Sequence, residues 1–228
     1  MCDLSDEKLE VVANYYVERA KGNVCDSEEY SEEYEEYKKF LSIDLSESYM
    51  NTLPNLSELN GVGELNLSDC EGMEDLSRLS DLRNVDKLNL SGWWEIEDLS
   101  VLGVLSGVRD LNLSYCENIM DLSPLTQLNL HTLRLSNCGG IMEIDPIAQM
   151  SDLRILDLSY CEGISDISGL RRSGVVDLDL SGCWGIDDLS VVSSLSNLSV
   201  LRIVDCDGLS DDSISLLSSL SSEMNLIR

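Results

Sequence analysis

Leu111-Asn112-Leu113-Ser114-Tyr115-Cys116-Glu117-Asn118-Ile119 is one copy of a unit that returns through most of the chain. Its first leucine falls at Leu65, Leu88, Leu111, Leu133, Leu156, Leu178 and Leu201, at intervals of 22 or 23 residues. A segment repeated at such a period cannot bury its apolar side alone and does so against its neighbours. The 228 residues therefore predict one elongated domain, not two globular ones.

Within each unit the L-x-L element predicts a strand whose two leucines point inward while the residues between and beside them face out. A cysteine column follows at Cys70, Cys116, Cys138, Cys161, Cys183 and Cys206, with Trp93 in the same place in one repeat. Spacings of 22 residues and more, unlike those of zinc sites, predict small buried side chains and no metal or disulfide framework. Two aliphatic columns come next, at Met73, Ile96, Ile119, Ile141, Ile164, Ile186 and Leu209, and at Leu76, Leu99, Leu122, Ile144, Ile167 and Leu189. The acidic position Asp75, Asp98, Asp121, Glu143, Asp166 and Asp188, with Ser77, Ser100, Ser123, Asp145, Ser168 and Ser190 two residues on, suits a turn or short-helix start. Pro124 and Pro146 sit where a first helical residue loses nothing by lacking an N–H. So short a period leaves room on the return side for a 3₁₀ turn or extended segment, and a full α-helix would need a longer unit. The expected fold class is α/β: a solenoid with a parallel sheet on its concave face, short 3₁₀ or extended segments on its convex face, and helical caps.

The ends depart from the repeat. Residues 5–21 carry Leu9, Val12, Ala13, Tyr16, Val17 and Ala20 at helical spacing, and residues 26–37 are acidic with Tyr30, Tyr34 and Tyr37 in step. Residues 1–42 are expected to be an acidic helical N-terminal cap, with 26–37 alternatively a docking strip for a basic partner. Residues 43–210 are expected to hold about eight repeats. Ile214, Leu217, Leu220, Met224 and Ile227 predict a helix over 213–227, so that 211–228 form a C-terminal helical cap.

Forty-three acidic against 15 basic residues leave a formal charge of -28. That balance opposes binding to nucleic acid or anionic membrane, both of which require Lys and Arg at phosphate. No apolar run is long enough to cross a bilayer. Reduced thiols stacked in a core suit the cytoplasm or nucleus. There is no phosphate loop, nucleophile turn, H-E-x-x-H or metal cluster, and the sole histidine is His131, so neither catalysis nor a cofactor is expected.

The unit Leu156-Asp157-Leu158-Ser159-Tyr160-Cys161-Glu162-Gly163-Ile164-Ser165-Asp166-Ile167-Ser168 resembles the leucine-rich repeat family in its short, cysteine-bearing form, over roughly residues 43 to 212. Its wording is similar to leucine-rich repeat proteins of trypanosomatid parasites, and Asp121-Leu122-Ser123-Pro124-Leu125 resembles the return segment of internalin-like and phosphatase-regulatory members. The resemblance implies a non-enzymatic scaffold that binds another protein through the concave sheet. Some parasite relatives carry a Cys/His zinc module ahead of the repeats; here only Cys2 and Cys25 precede residue 70, so its ubiquitin-ligase activity is not expected.

Specificity in such a scaffold would be written where the repeats differ. The residue between the two leucines runs Asn66, Asn89, Asn112, Arg134, Asp157, Asp179 and Arg202. Tyr115 and Tyr160 lie beyond the second leucine, two repeats apart, and Trp94 and Trp184 share one loop position four repeats apart. Asn89, Asn112, Arg134, Asp157, Asp179, Tyr115, Tyr160, Trp94 and Trp184 are therefore the expected protein-binding residues of a monomer. The tryptophans either anchor a ligand or fold back over their own loops. Arg109, His131 and Arg154 form a cationic track that either takes an acidic ligand or pairs with carboxylates such as Asp110 and Asp157.

Overall fold

In the computed structural model, residues 17–18, 41–46, 56–59, 61–70, 77–82, 84–220 and 224–228 are described. Nine strands form one parallel sheet in chain order: β1 Ser42–Asp44, β2 Glu64–Asn66, β3 Lys87–Asn89, β4 Asp110–Asn112, β5 Thr132–Arg134, β6 Ile155–Asp157, β7 Asp177–Asp179, β8 Val200–Arg202 and β9 Asn225–Ile227. The register keeps each column intact: Leu111 faces Leu88 and Leu133, and Leu133 faces Leu156. Every strand thus meets its neighbour through the same sequence position, as the leucine spacing requires.

Both leucines of the L-x-L element are buried, and the two aliphatic columns behind the cysteines join them in one continuous core wherever they are described up to Leu189. Short 3₁₀ turns close the opposite face at Ser77–Asp81, Ser100–Val104, Ser123–Gln127, Asp145–Gln149, Ser168–Arg172 and Ser190–Ser194. Pro124 and Pro146 stand in the first turn of theirs. Asp98, Asp121, Asp166 and Asp188 each accept the N–H of the serine two residues on, at 2.7–2.8 Å. That bond satisfies a donor which a 3₁₀ start leaves orphaned; the serine hydroxyl first and this N–H second hold the Asp98 and Asp121 carboxyls below the ordinary carboxylate range, and the N–H first and the hydroxyl second do so at Asp166.

The cysteines do more than fill space. Each described thiol of the column donates to the carbonyl of the second leucine one repeat back: Cys138 to Leu113, Cys161 to Leu135, Cys183 to Leu158, at 3.0–3.1 Å. That carbonyl already accepts the N–H of its own repeat's cysteine, as Leu135 does from Cys138. A thiol is small enough to lie in the core and still supply a second donor. Trp93, the exception, does the same work with its indole N–H, which reaches the Leu67 carbonyl at 2.6 Å.

Burial pushes the thiols of Cys116, Cys138, Cys161 and Cys183 from an ordinary 9.0 up to about 12. These thiols are neutral in the fold while unfolded ones ionise near 9, so their contribution to stability is full below pH 9 and is lost as pH rises toward 12. Because the thiolate is the nucleophile, a disulfide reagent at pH 8 should modify half-buried Cys206 ahead of these four. Rapid labelling of all of them in native protein would contradict this packing.

The C-terminus differs from the helix expected over 213–227. The helix spans Asp211–Leu220, and Asn225–Ile227 then form β9 beside β8, with Leu226 opposite Leu201. Leu226 lies 25 residues after Leu201, and this longer unit accommodates an α-helix where the others have a 3₁₀ turn. Ser213 aligns the helix by accepting no apolar role: its hydroxyl is buried, donates to the Asp187 carbonyl and accepts the Leu189 N–H. At the other end Val17 and Glu18 are helical, and Val17 packs on the core. The rest of the first expected helix and all of the acidic segment 26–37 lie outside the described residues. Among the described residues no helix is long and apolar enough to cross a membrane.

Candidate functional site

The open sheet face carries the column between the leucines, and most of that column has a structural duty. The side-chain oxygens of Asn89, Asn112, Asp157 and Asp179 each accept the backbone N–H of the serine two residues on, at 2.9–3.0 Å. These Asx turns start the loop out of the strand. Asn89 also donates to Asn66, and Asn66 to Asp44, forming a side-chain ladder across three strands. The recurrent Asn-Leu-Ser carries the signal that would have shown this turn, an acceptor two residues before a donor.

Arg134 and Arg202 interrupt the column. Arg134 pairs with Asp110 one strand back at 2.5 Å, and Arg202 pairs with Asp177. Its hydrogen bond to Asp177 raises the Arg202 pKa above the ordinary value. Pairs this exposed contribute about 0–1 kcal/mol, so they set the charge pattern of the face more than its stability. Arg109 and Arg154 bond instead to backbone carbonyls, of Asn129 and of Ser151 and Leu153. Of the carboxylates considered for this track, Asp110 is paired by the nearby Arg134, while Arg109 and Arg154 bond to loop carbonyls.

The four aromatics lie along the edge of the sheet where the strands end. Backbone bonds carry the stacking of repeats into these loops: Gly92 N–H to Ser114, Tyr115 to Ser136, Asn137 to Ser159 and Tyr160 to Ser181, at 2.7–2.8 Å. Trp94 is 57% exposed and Trp184 53%, so neither ring is folded back onto its loop. Tyr115 at 56%, Tyr160 at 41%, Met120 at 70% and Met142 at 68% fill the repeats between them. One strand spacing is about 4.8 Å, so the tyrosines stand about 10 Å apart along the edge and the tryptophans about 19 Å. Exposed apolar side chains scattered singly are ordinary; here six stand in the loops that follow strands β3 to β7.

Both tyrosines also occupy a conformation that suits other residues. Their column has positive φ throughout: 52° at Asp69, 62° at Tyr115, 61° at Asn137, 58° at Tyr160 and 56° at Asp205, with glycine at 92 and 182. Asp, Asn and Gly tolerate this region, while a bulky side chain there is an outlier. The ring of Tyr160 lies over Gly182 of the next repeat, where a Cβ would collide with it. The column's Asp, Gly and Asn carry the signal of a left-handed turn, from which the two tyrosines depart.

Residues 100–168 match the family model described as Zer-1-like, Leucine-rich repeats. Among solved structures the chain is similar to internalin C2 of Listeria monocytogenes, with 23% identity, a TM-score of 0.67, and coverage of 95% of this chain and 90% of that one. The internalin inlF of the same organism aligns at 23% identity and TM-score 0.56, covering 97% and 81%. The leucine-rich repeat domain of the type III effector XopL aligns at 13% identity and TM-score 0.57, covering 99% and 97%. No curated protein matches the chain.

Proposed function

We propose that this chain, whose fold is the leucine-rich repeat solenoid, is a non-enzymatic scaffold that binds a protein along the sheet face and the aromatic edge beside it. The observation that carries the reading is the exposed row from Trp94 through Tyr115 and Tyr160 to Trp184. Large aromatics supply much contact area at small conformational cost and dominate interface energetics. Arg134, Asp157 and the neighbouring asparagines line the sheet face next to the row and would orient the partner. The stacked free thiols fit a reducing compartment, which we assign as cytoplasmic or nuclear.

The strained tyrosines supply the test. A left-handed backbone costs an ordinary residue roughly 1–2 kcal/mol, and asparagine tolerates it better. Tyr115→Asn should therefore raise stability, by about 0.5–1 kcal/mol in chemical denaturation. Tyr160→Asn should gain less, because its ring covers Gly182. The same double variant should weaken a cognate complex by about tenfold or more. A double variant that is no more stable and binds equally well would remove this surface from consideration.

A further inference from the structure

The charges around the aromatic row identify what it would bind. The loops at 92–99, 115–122, 137–144, 160–167 and 182–189 contain no Lys, Arg or His; beside the turn-forming Asp98, Asp121, Asp166 and Asp188 they hold six further carboxylates, Glu95, Glu97, Glu117, Glu143, Glu162 and Asp187. All six are exposed. Each tyrosine has an exposed glutamate two residues on, Glu117 after Tyr115 and Glu162 after Tyr160. Aromatic faces attract cations, most strongly those of Arg and Lys, and adjoining carboxylates add to that attraction.

Geometry sets the spacing of those cations. The two tyrosines lie two repeats apart, about 10 Å. In a polyproline II segment, with three residues per turn and about 3.1 Å of rise per residue, side chains three apart share one side and recur at about 9 Å. A β-strand ligand fits less well, since its residues three apart point to opposite faces. We propose that the partner is a basic polyproline II-type segment lying along this edge, with Arg or Lys at every third residue stacked on Tyr115 and Tyr160 beside Glu117 and Glu162. This rests on the scaffold reading above and names the chemistry of its partner. The rim tryptophans, about 19 Å apart, bracket six residues of such a segment.

The test uses the full chain and synthetic peptides with arginines three residues apart, in a background of proline and serine. Binding is read by calorimetry and by the fluorescence of Trp94 and Trp184, with Trp93→Phe as background if its emission interferes. Replacing both arginines by glutamine should weaken binding by about tenfold or more, and moving them to adjacent positions should weaken it several-fold. High salt should reduce affinity without abolishing it, because screening acts on the exposed carboxylates more than on stacked rings. Glu117→Gln with Glu162→Gln should reproduce most of the salt effect. Equal binding of the arginine and glutamine peptides overturns the proposal.

A random peptide library separates this idea from the reading beneath it. It is selected on the intact chain and counter-selected on the Tyr115→Asn, Tyr160→Asn variant. Enriched sequences with basic residues at a three-residue period support both. Enriched neutral or acidic sequences keep the edge as a protein-binding surface and overturn its basic specificity. Selection of no sequence that depends on the two tyrosines overturns the surface itself.

Discussion

Leu133→Ala is expected to lower the unfolding free energy by about 3–5 kcal/mol. Leu133 is fully buried between Leu111 and Leu156, in the fifth of nine strands. Its neighbours are held by their own backbone ladders, so the surrounding repeats cannot collapse into the space, and both the transfer and the cavity terms are lost. In a solenoid the loss also weakens two nearest-neighbour interfaces at once, which lets the halves of the array unfold separately. Urea titration followed by circular dichroism should therefore show a lower midpoint together with a broadened or two-step transition. Ile155→Ala makes the control, since Ile155 is on the next strand but faces outward and is exposed. A loss below about 1 kcal/mol at Leu133 would be incompatible with a continuous core.

Trp93→Ala should cost about as much, roughly 3–5 kcal/mol. The side chain is buried in the cysteine column, where every described neighbour is far smaller, and its indole N–H satisfies the carbonyl of Leu67. Two contributions are separable. Trp93→Phe keeps most of the ring and removes the donor, so it should lose about 1–2 kcal/mol. The remainder of the alanine effect is packing. If phenylalanine proves as stable as the parent, the donor has no weight in the fold, and the thiol bonds at the equivalent positions would need the same reassessment. Neither change should touch the aromatic edge directly, because Trp93 points into the core while its neighbour Trp94 points out.

These expectations differ in kind from those at the tyrosines. Leu133 and Trp93 support the array, and their replacement weakens it. Tyr115 and Tyr160 weaken the array slightly, and their replacement by asparagine strengthens it. Strain held at an exposed aromatic pair is in keeping with the binding role proposed for it.

The sequence alone was enough for the array itself. A leucine every 22 or 23 residues, alternation within L-x-L, and Asp, Ser or Pro at the start of each return segment are local signals. Each acts through sterics or hydrogen bonds spanning a few residues, so each can be read without knowing the neighbours. The strand, the inward cysteine and the 3₁₀ turn follow from them. The ninth strand was misread as helix because Met224 and Ile227 continue a helical spacing, whereas the pairing of Leu226 with Leu201 depends on the sheet already built beside it.

The tertiary structure decided what lies between repeats. The thiol of Cys161 meets the carbonyl of Leu135, Arg134 meets Asp110, and Tyr160 covers Gly182, each across 22 to 26 residues. Such contacts depend on the register and the lean of one repeat against the next, which no local period encodes. The same is true of the candidate site. The nine residues could be placed on the sheet and its edge from their spacing, but only the stacked repeats showed that Asn89, Asn112, Asp157 and Asp179 are tied into turns. The four aromatics beside them are left open to solvent.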